Sequence, residues 1–158
     1  MANLEVLILD NALIEEEVQY IEYYHSYLKN LRVLSLQGNK LSYSIKDIIV
    51  MGLLSHSFVE CHQVKNENQE VAVPQLRTLN LKDCDLHDEH FDYLLKIHRW
   101  SLWSPFKSLE YLNISNPISY EKIEEFAEQF DLCNLQRLVF YERRTDGHNP
   151  LAQETIDN

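Results

Sequence analysis

The chain has 158 residues, 45% of them hydrophobic, with 14 Lys and Arg against 25 Asp and Glu and a formal net charge of -11. This length and composition exclude a disordered chain and suffice for one domain with a sizeable core. The acidic balance disfavours a polyanionic partner such as nucleic acid and favours a basic protein surface.

The first predicted unit begins at Leu4, where Leu4, Leu7, Leu9, Ala12 and Ile14 set a regular beat. Glu15, Glu16 and Glu17 follow, well placed against the positive end of a helix dipole, and Val18, Ile21 and Leu28 continue as an apolar stripe. Tyr20, Tyr23, Tyr24 and Tyr27 crowd the same helix and are read as core or end-covering residues.

The second unit repeats the beat as Leu31, Leu34, Leu36, Asn39 and Leu41. Ser44 and Asp47 are spaced as a capping box before a helix carrying Ile45, Ile48, Ile49 and Leu53. Residues 57–74, polar and without periodicity from Gln63 to Glu70, are expected to form an inserted surface loop. The third unit reads Leu76, Leu79, Leu81, Cys84 and Leu86, then a helix with Phe91, Leu94, Leu95 and His98, with Asp85 or Asp88 as its N-cap. Trp100, Trp103 and Phe106 are expected to pin an enlarged loop to the helical side.

The fourth unit has Leu109, Leu112 and Ile114, with Pro117 in the asparagine slot, and a helix striped by Ile123, Phe126, Ala127 and Phe130. The fifth is a worn copy, Leu135, Leu138 and Phe140, with Arg143 in that slot. First leucines fall at 4, 31, 76, 109 and 135, so the intervals are 27, 45, 33 and 26.

In L-x-x-L-x-L the last two leucines lie two apart and share one side of an extended strand. A following polar side chain turns inward and satisfies backbone groups left by the bend, a role assigned to Asn39 and, as a small weakly polar substitute, to Cys84. The motif resembles that of leucine-rich repeat proteins, in the long, helix-containing class typified by ribonuclease inhibitor. The resemblance implies an α/β fold: a right-handed solenoid of about five repeats, with a parallel sheet on the concave face and helices on the convex face. Residues 1–142 would form this domain and 143–158 a weakly ordered C-terminal tail.

The outward strand positions would line the concave face, where such proteins commonly bind partners. The expected contact set is Val33, Ser35, Thr78, Asn80, Tyr111, Asn113 and Arg137, alongside Val6, Ile8 and Val139. A neighbouring row, Glu5, Arg32, Arg77, Glu110 and Gln136, reads as a self-neutralising ladder rather than an anion site.

Catalysis, a cofactor and a metal are not expected. The three glycines, Gly38, Gly52 and Gly147, are isolated, and Cys61 beside His62 lies in the predicted loop. Cys84, His87 and His90 point in diverging directions on the predicted elements, which disfavours zinc.

Membrane association is not expected either. The N-terminus lacks a signal-peptide pattern, no run approaches the ~18 apolar residues of a membrane span, and Cys61, Cys84 and Cys133 are scattered. These features predict an intracellular, cytoplasmic protein with free thiols. The functional expectation is a non-catalytic protein-binding or scaffold module.

Two alternatives stand beside it. Ran GTPase-activating protein uses the same repeat class, which implies GTPase regulation through an exposed arginine, but no motif here matches residue by residue. The strand at Leu4 would leave an uncapped edge, which implies a fragment of a larger receptor or adaptor, or self-association through that edge.

Overall fold

Each leucine motif places a short strand around its second leucine. The computed structural model describes residues 4–12, 30–42, 76–100, 108–129, 134–142 and 152–157. Within them lie β1 (Val6–Ile8), β2 (Val33–Ser35), β3 (Thr78–Asn80), β4 (Tyr111–Asn113), β5 (Arg137–Glu142) and β6 (Ala152–Asp157). Two helices are described, α1 (Asp88–Trp100) and α2 (Tyr120–Gln129). The helix expected after Glu15 with its tyrosines, the helix from Ile45, the 57–74 loop, Trp103, Phe106, Cys61, His62 and Cys133 lie outside the described residues.

The six strands form one sheet in chain order. The first five are parallel and in matched register, with Leu7, Leu34, Leu79, Leu112 and Leu138 side by side. That row and its neighbours Leu36, Leu81, Ile114 and Phe140 face α1 and α2, whose Phe91, Leu94, Leu95, Ile123 and Phe126 complete the core. Burying one such side chain contributes about 1.5–3 kcal/mol. Phe91 and Phe126 meet edge to face, centroids 5.8 Å apart, joining the two helices.

Part of the segment expected to form the tail lies among the described residues. Ala152–Asp157 runs antiparallel to β5 and pairs residue for residue from Arg137↔Asp157 to Glu142↔Ala152. Backbone pairing holds this segment in the sheet, so its mixed polar sequence gives no apolar signal.

Turn chemistry repeats as well. Asn11, Gly38 and Asp83, each two residues beyond the second inward leucine, all have positive φ. A Cβ at Gly38 would collide with the side-chain oxygen of Asn11, so contact requires glycine where positive φ already favours it. Asn116 holds the same offset from Ile114 but is not among the positive-φ residues. The fourth turn is therefore built differently.

That difference corrects the reading of Pro117. Asn116, not the residue in the formal slot, turns inward and is fully buried. Its Nδ2 donates to Leu81 O at 2.7 Å and Ile114 O at 3.3 Å, while its Oδ1 accepts from Cys84 N at 2.8 Å and Leu86 N at 3.3 Å. Asn39 does the same for the preceding copies, donating to Leu9 O at 2.8 Å and Leu36 O at 2.7 Å. Cys84 Sγ donates to Leu36 O at 3.2 Å and Lys82 O at 3.4 Å. Ala12 has no side-chain donor, and Asn39 supplies the missing bond to Leu9 from the next copy.

Helix capping also differs from expectation. His87, not an aspartate, precedes α1, and its N–H donates to His90 Nδ1 at 2.9 Å while His90 N–H donates back to His87 O at 3.0 Å. The His90 imidazole takes the place of the Glu or Gln of a capping box, while the return bond is backbone to backbone. Asp88 instead accepts from Ser119 N at 2.9 Å, and the Ser119 hydroxyl caps α2 by accepting from Lys122 N at 3.3 Å.

Candidate binding face

The sheet face opposite the helices carries every residue of the expected contact set. Strand register arranges them in two rows. Val6, Val33, Thr78, Tyr111 and Arg137 form one; Ile8, Ser35, Asn80, Asn113 and Val139 form the other. Neighbouring strands lie ~4.8 Å apart, so the five span roughly 20 Å.

Exposure along the face is uneven. Val6 and Ile8 are 51% and 61% exposed, while Asn113 and Val139 are 4% and 1% exposed. Val33, Thr78, Asn80 and Tyr111 are half-buried and Arg137 is exposed. The second row thus passes from open and apolar at β1 to covered at β4 and β5, while the first row stays accessible at Tyr111 and Arg137.

Polar residues in the middle are tied to one another. Ser35 Oγ donates to Asp10, whose carboxylate also accepts from Gln37 N at 3.0 Å. Asn80 Nδ2 donates to Ser35 Oγ at 3.0 Å and Gln37 Oε1 at 3.2 Å, while its Oδ1 accepts from Lys82 N at 3.2 Å. Asn113 Oδ1 accepts from Ser115 N at 3.1 Å, and its Nδ2 donates to the Tyr111 hydroxyl at 3.4 Å. Ser35 and Asn113 therefore hold the face in shape, whereas Val33, Thr78, Tyr111 and Arg137 present surface.

A third row escapes the two-per-strand reading. Asp10, Gln37, Lys82, Ser115 and Tyr141 each follow the second inward residue of their copy. The Lys82 ammonium lies 5.6 Å from the centroid of the Tyr141 ring, reaching past the small Ser115. Hydrogen bonding to the Tyr141 hydroxyl, against a smaller desolvation effect, raises the Lys82 pKa above its ordinary value. Ser115 Oγ is buried without a hydrogen-bond partner. The signal for this row was the variable position directly after the second inward residue of each copy.

The row expected to neutralise itself contains one ion pair among the described residues, Arg77 to Glu110 at 3.1 Å, half exposed on both sides. Such pairs contribute about 0–1 kcal/mol. The same row's backbone carbonyls do more: Glu5, Arg32, Arg77 and Glu110 each accept from two successive N–H groups of the next copy.

Cys84, His87 and His90 do not converge. Cys84 is buried in the inward ladder, His90 Nδ1 is occupied by the helix cap, and His87 Nε2 lies 3.5 Å from Asp85. Burial pushes the Cys84 thiol up to about 12, so it stays protonated. Among the described residues no three His, Cys, Asp or Glu side chains group as metal ligands, and no helix is long and apolar enough to cross a membrane.

Comparison with known families gives a match over part of the chain. The family model described as Leucine Rich Repeat matches residues 30–50, the segment holding β2 and the Asn39 turn. The match supports a leucine-rich repeat protein. The parallel strands with helices on one face fit an α/β fold of that kind. No curated protein and no solved structure matches the chain. Leucine-rich repeats are commonly protein-interaction modules, and a non-catalytic binding role fits that family.

Proposed function

We propose that the chain is a right-handed solenoid of about five ribonuclease-inhibitor-like repeats that binds another protein through its concave face without catalysing a reaction. The observation carrying this reading is the unbroken register Val33↔Thr78↔Tyr111↔Arg137, which aligns presented side chains across four strands. Tyr111 is the central anchor, a large apolar body with a polar tip. Ser35, Asn80 and Asn113 fix the shape around it. A net charge of -11 suits a partner with a basic surface, and scattered cysteines with a free buried Cys84 suit a reducing, cytoplasmic setting.

Affinity capture from a native extract, followed by titration of the identified partner, tests the reading. Tyr111→Ala and Thr78→Ala are expected to weaken binding by about tenfold or more each while moving the melting temperature little. Equal loss of binding and stability, or no loss of binding, would refute it.

A further inference from the structure

The β1 end of the sheet differs from the other described strands. Among the described residues, three of the four large exposed hydrophobics, Leu4, Val6 and Ile8, belong to this one strand and its approach. Leu7 and Leu9 are only partly buried, whereas their counterparts Leu34, Leu36, Leu79 and Leu81 are all buried. β1 is therefore apolar on both faces and incompletely covered on both.

Its backbone is open too. Among the described residues β1 ends the sheet, with β2 as its one neighbour. Val33 N donates to Glu5 O at 3.0 Å and Leu9 N to Ser35 O at 2.8 Å, so alternate residues Glu5, Leu7 and Leu9 face β2. The N–H and C=O of Val6 and Ile8 consequently point to the free edge.

We infer that this edge pairs with the same edge of a second copy of the chain, β1 against β1, antiparallel about a two-fold axis through Leu7. The edge requires an added strand that is apolar on both faces, and Val6-Leu7-Ile8 is itself such a strand. Register favours the same solution: Val6 falls opposite the partner's Ile8, the two outward-facing backbone groups that exchange hydrogen bonds in an antiparallel pair. Leu7 then meets the partner's Leu7 and joins the two cores. Antiparallel addition already occurs in this sheet at the opposite edge, where β6 joins β5. A two-fold contact closes after two copies, so a dimer forms and not a filament.

The interface is weak. Its strand is three residues long, well short of the about 800 Å² per partner of stable complexes. Each copy also brings a charge of -11, so added salt strengthens this association, opposite to the behaviour of a basic partner.

Sedimentation of the full chain across concentration, at low and high salt, tests the inference together with concentration-dependent amide exchange. The expected result is a monomer–dimer equilibrium favoured by salt, with Val6 and Ile8 amides gaining protection as dimer forms. Ile8→Lys, at a residue 61% exposed, should shift the equilibrium about tenfold toward monomer without changing the melting temperature. Val6→Lys serves as the second variant. A monomer at every concentration, a dimer indifferent to both substitutions, or protection confined to other segments would overturn it. So would capture of a different protein's strand by an otherwise monomeric chain.

Discussion

The side-chain oxygen of Asn116 accepts the backbone N–H of Cys84 at 2.8 Å while its nitrogen donates to Leu81 O at 2.7 Å, so one buried amide spans two successive copies. Removing it strands Cys84 and Leu86 N–H groups and the Leu81 carbonyl together. Each unsatisfied buried group costs about 1–3 kcal/mol. Asn116→Ala should therefore lower unfolding free energy by roughly 3 kcal/mol or more, measured by urea titration. Asn39→Ala should cost less, because Cys84 Sγ still donates to Leu36 O. Equal costs would show that the two amides do not differ as their bonding implies.

Gly38 and Asn11 are coupled by contact. Gly38→Ala introduces a side chain at positive φ and drives its Cβ into the Asn11 amide. A loss of about 1–3 kcal/mol is expected. Asn11→Gly in the same chain should recover the part due to collision and leave the part due to backbone conformation. A double-mutant cycle with no coupling would rule out the collision.

Cys84 should be chemically silent in the native state. Its thiol, raised to about 12 by burial, supplies almost no thiolate at neutral pH, so alkylation at Cys84 should await unfolding. The sign of the linkage follows: the unfolded thiol ionises first, so this contribution is intact below about 9 and is lost as pH rises toward about 12. Peptide mapping after timed alkylation reads the first expectation. Comparison of wild type with Cys84→Ser across pH 8–11 (both as urea midpoints, ~0.1 M buffer) reads the second. Rapid native labelling at Cys84 would contradict both.

Asp88 links one copy to the next through Ser119. Desolvation is its largest single influence and raises its pKa, but the Ser119 N–H and hydroxyl, with Lys122 and His87 nearby, outweigh it and hold the carboxyl below its ordinary value. Its stabilisation is therefore present above the unfolded carboxyl's pKa and disappears as pH falls through the lower folded value. Asp88→Asn should destabilise at neutral pH and converge with wild type in acid, once the folded carboxyl is protonated. A pH-independent difference would place the effect in packing instead.

Strand positions and rows were legible in the sequence because leucine spacing fixes which side chains turn inward, and register follows once Leu7, Leu34, Leu79, Leu112 and Leu138 align. The helices of the third and fourth units were equally legible from Phe91, Leu94, Ile123 and Phe126. Asn116 was missed because fixed spacing assumes one turn geometry, and the fourth turn lacks a positive-φ residue. β6 was missed because its order comes from bonding to β5, which no local pattern encodes. On the sheet face opposite the helices, sequence placed the residues on their strands but not their bonding: Ser35 and Asn113 are engaged by neighbours, a fact of distance alone.

From β1 to β5 the neighbouring strands meet in the same position-for-position match. An internal unit copied in tandem would find on either side the bonding partners its parent already has. The reversed final strand sits outside that pattern and would be carried along untouched. Lengthening by gene duplication is thus mechanically permissive in the middle of this molecule, while the same event at β6 would have to invent a new junction.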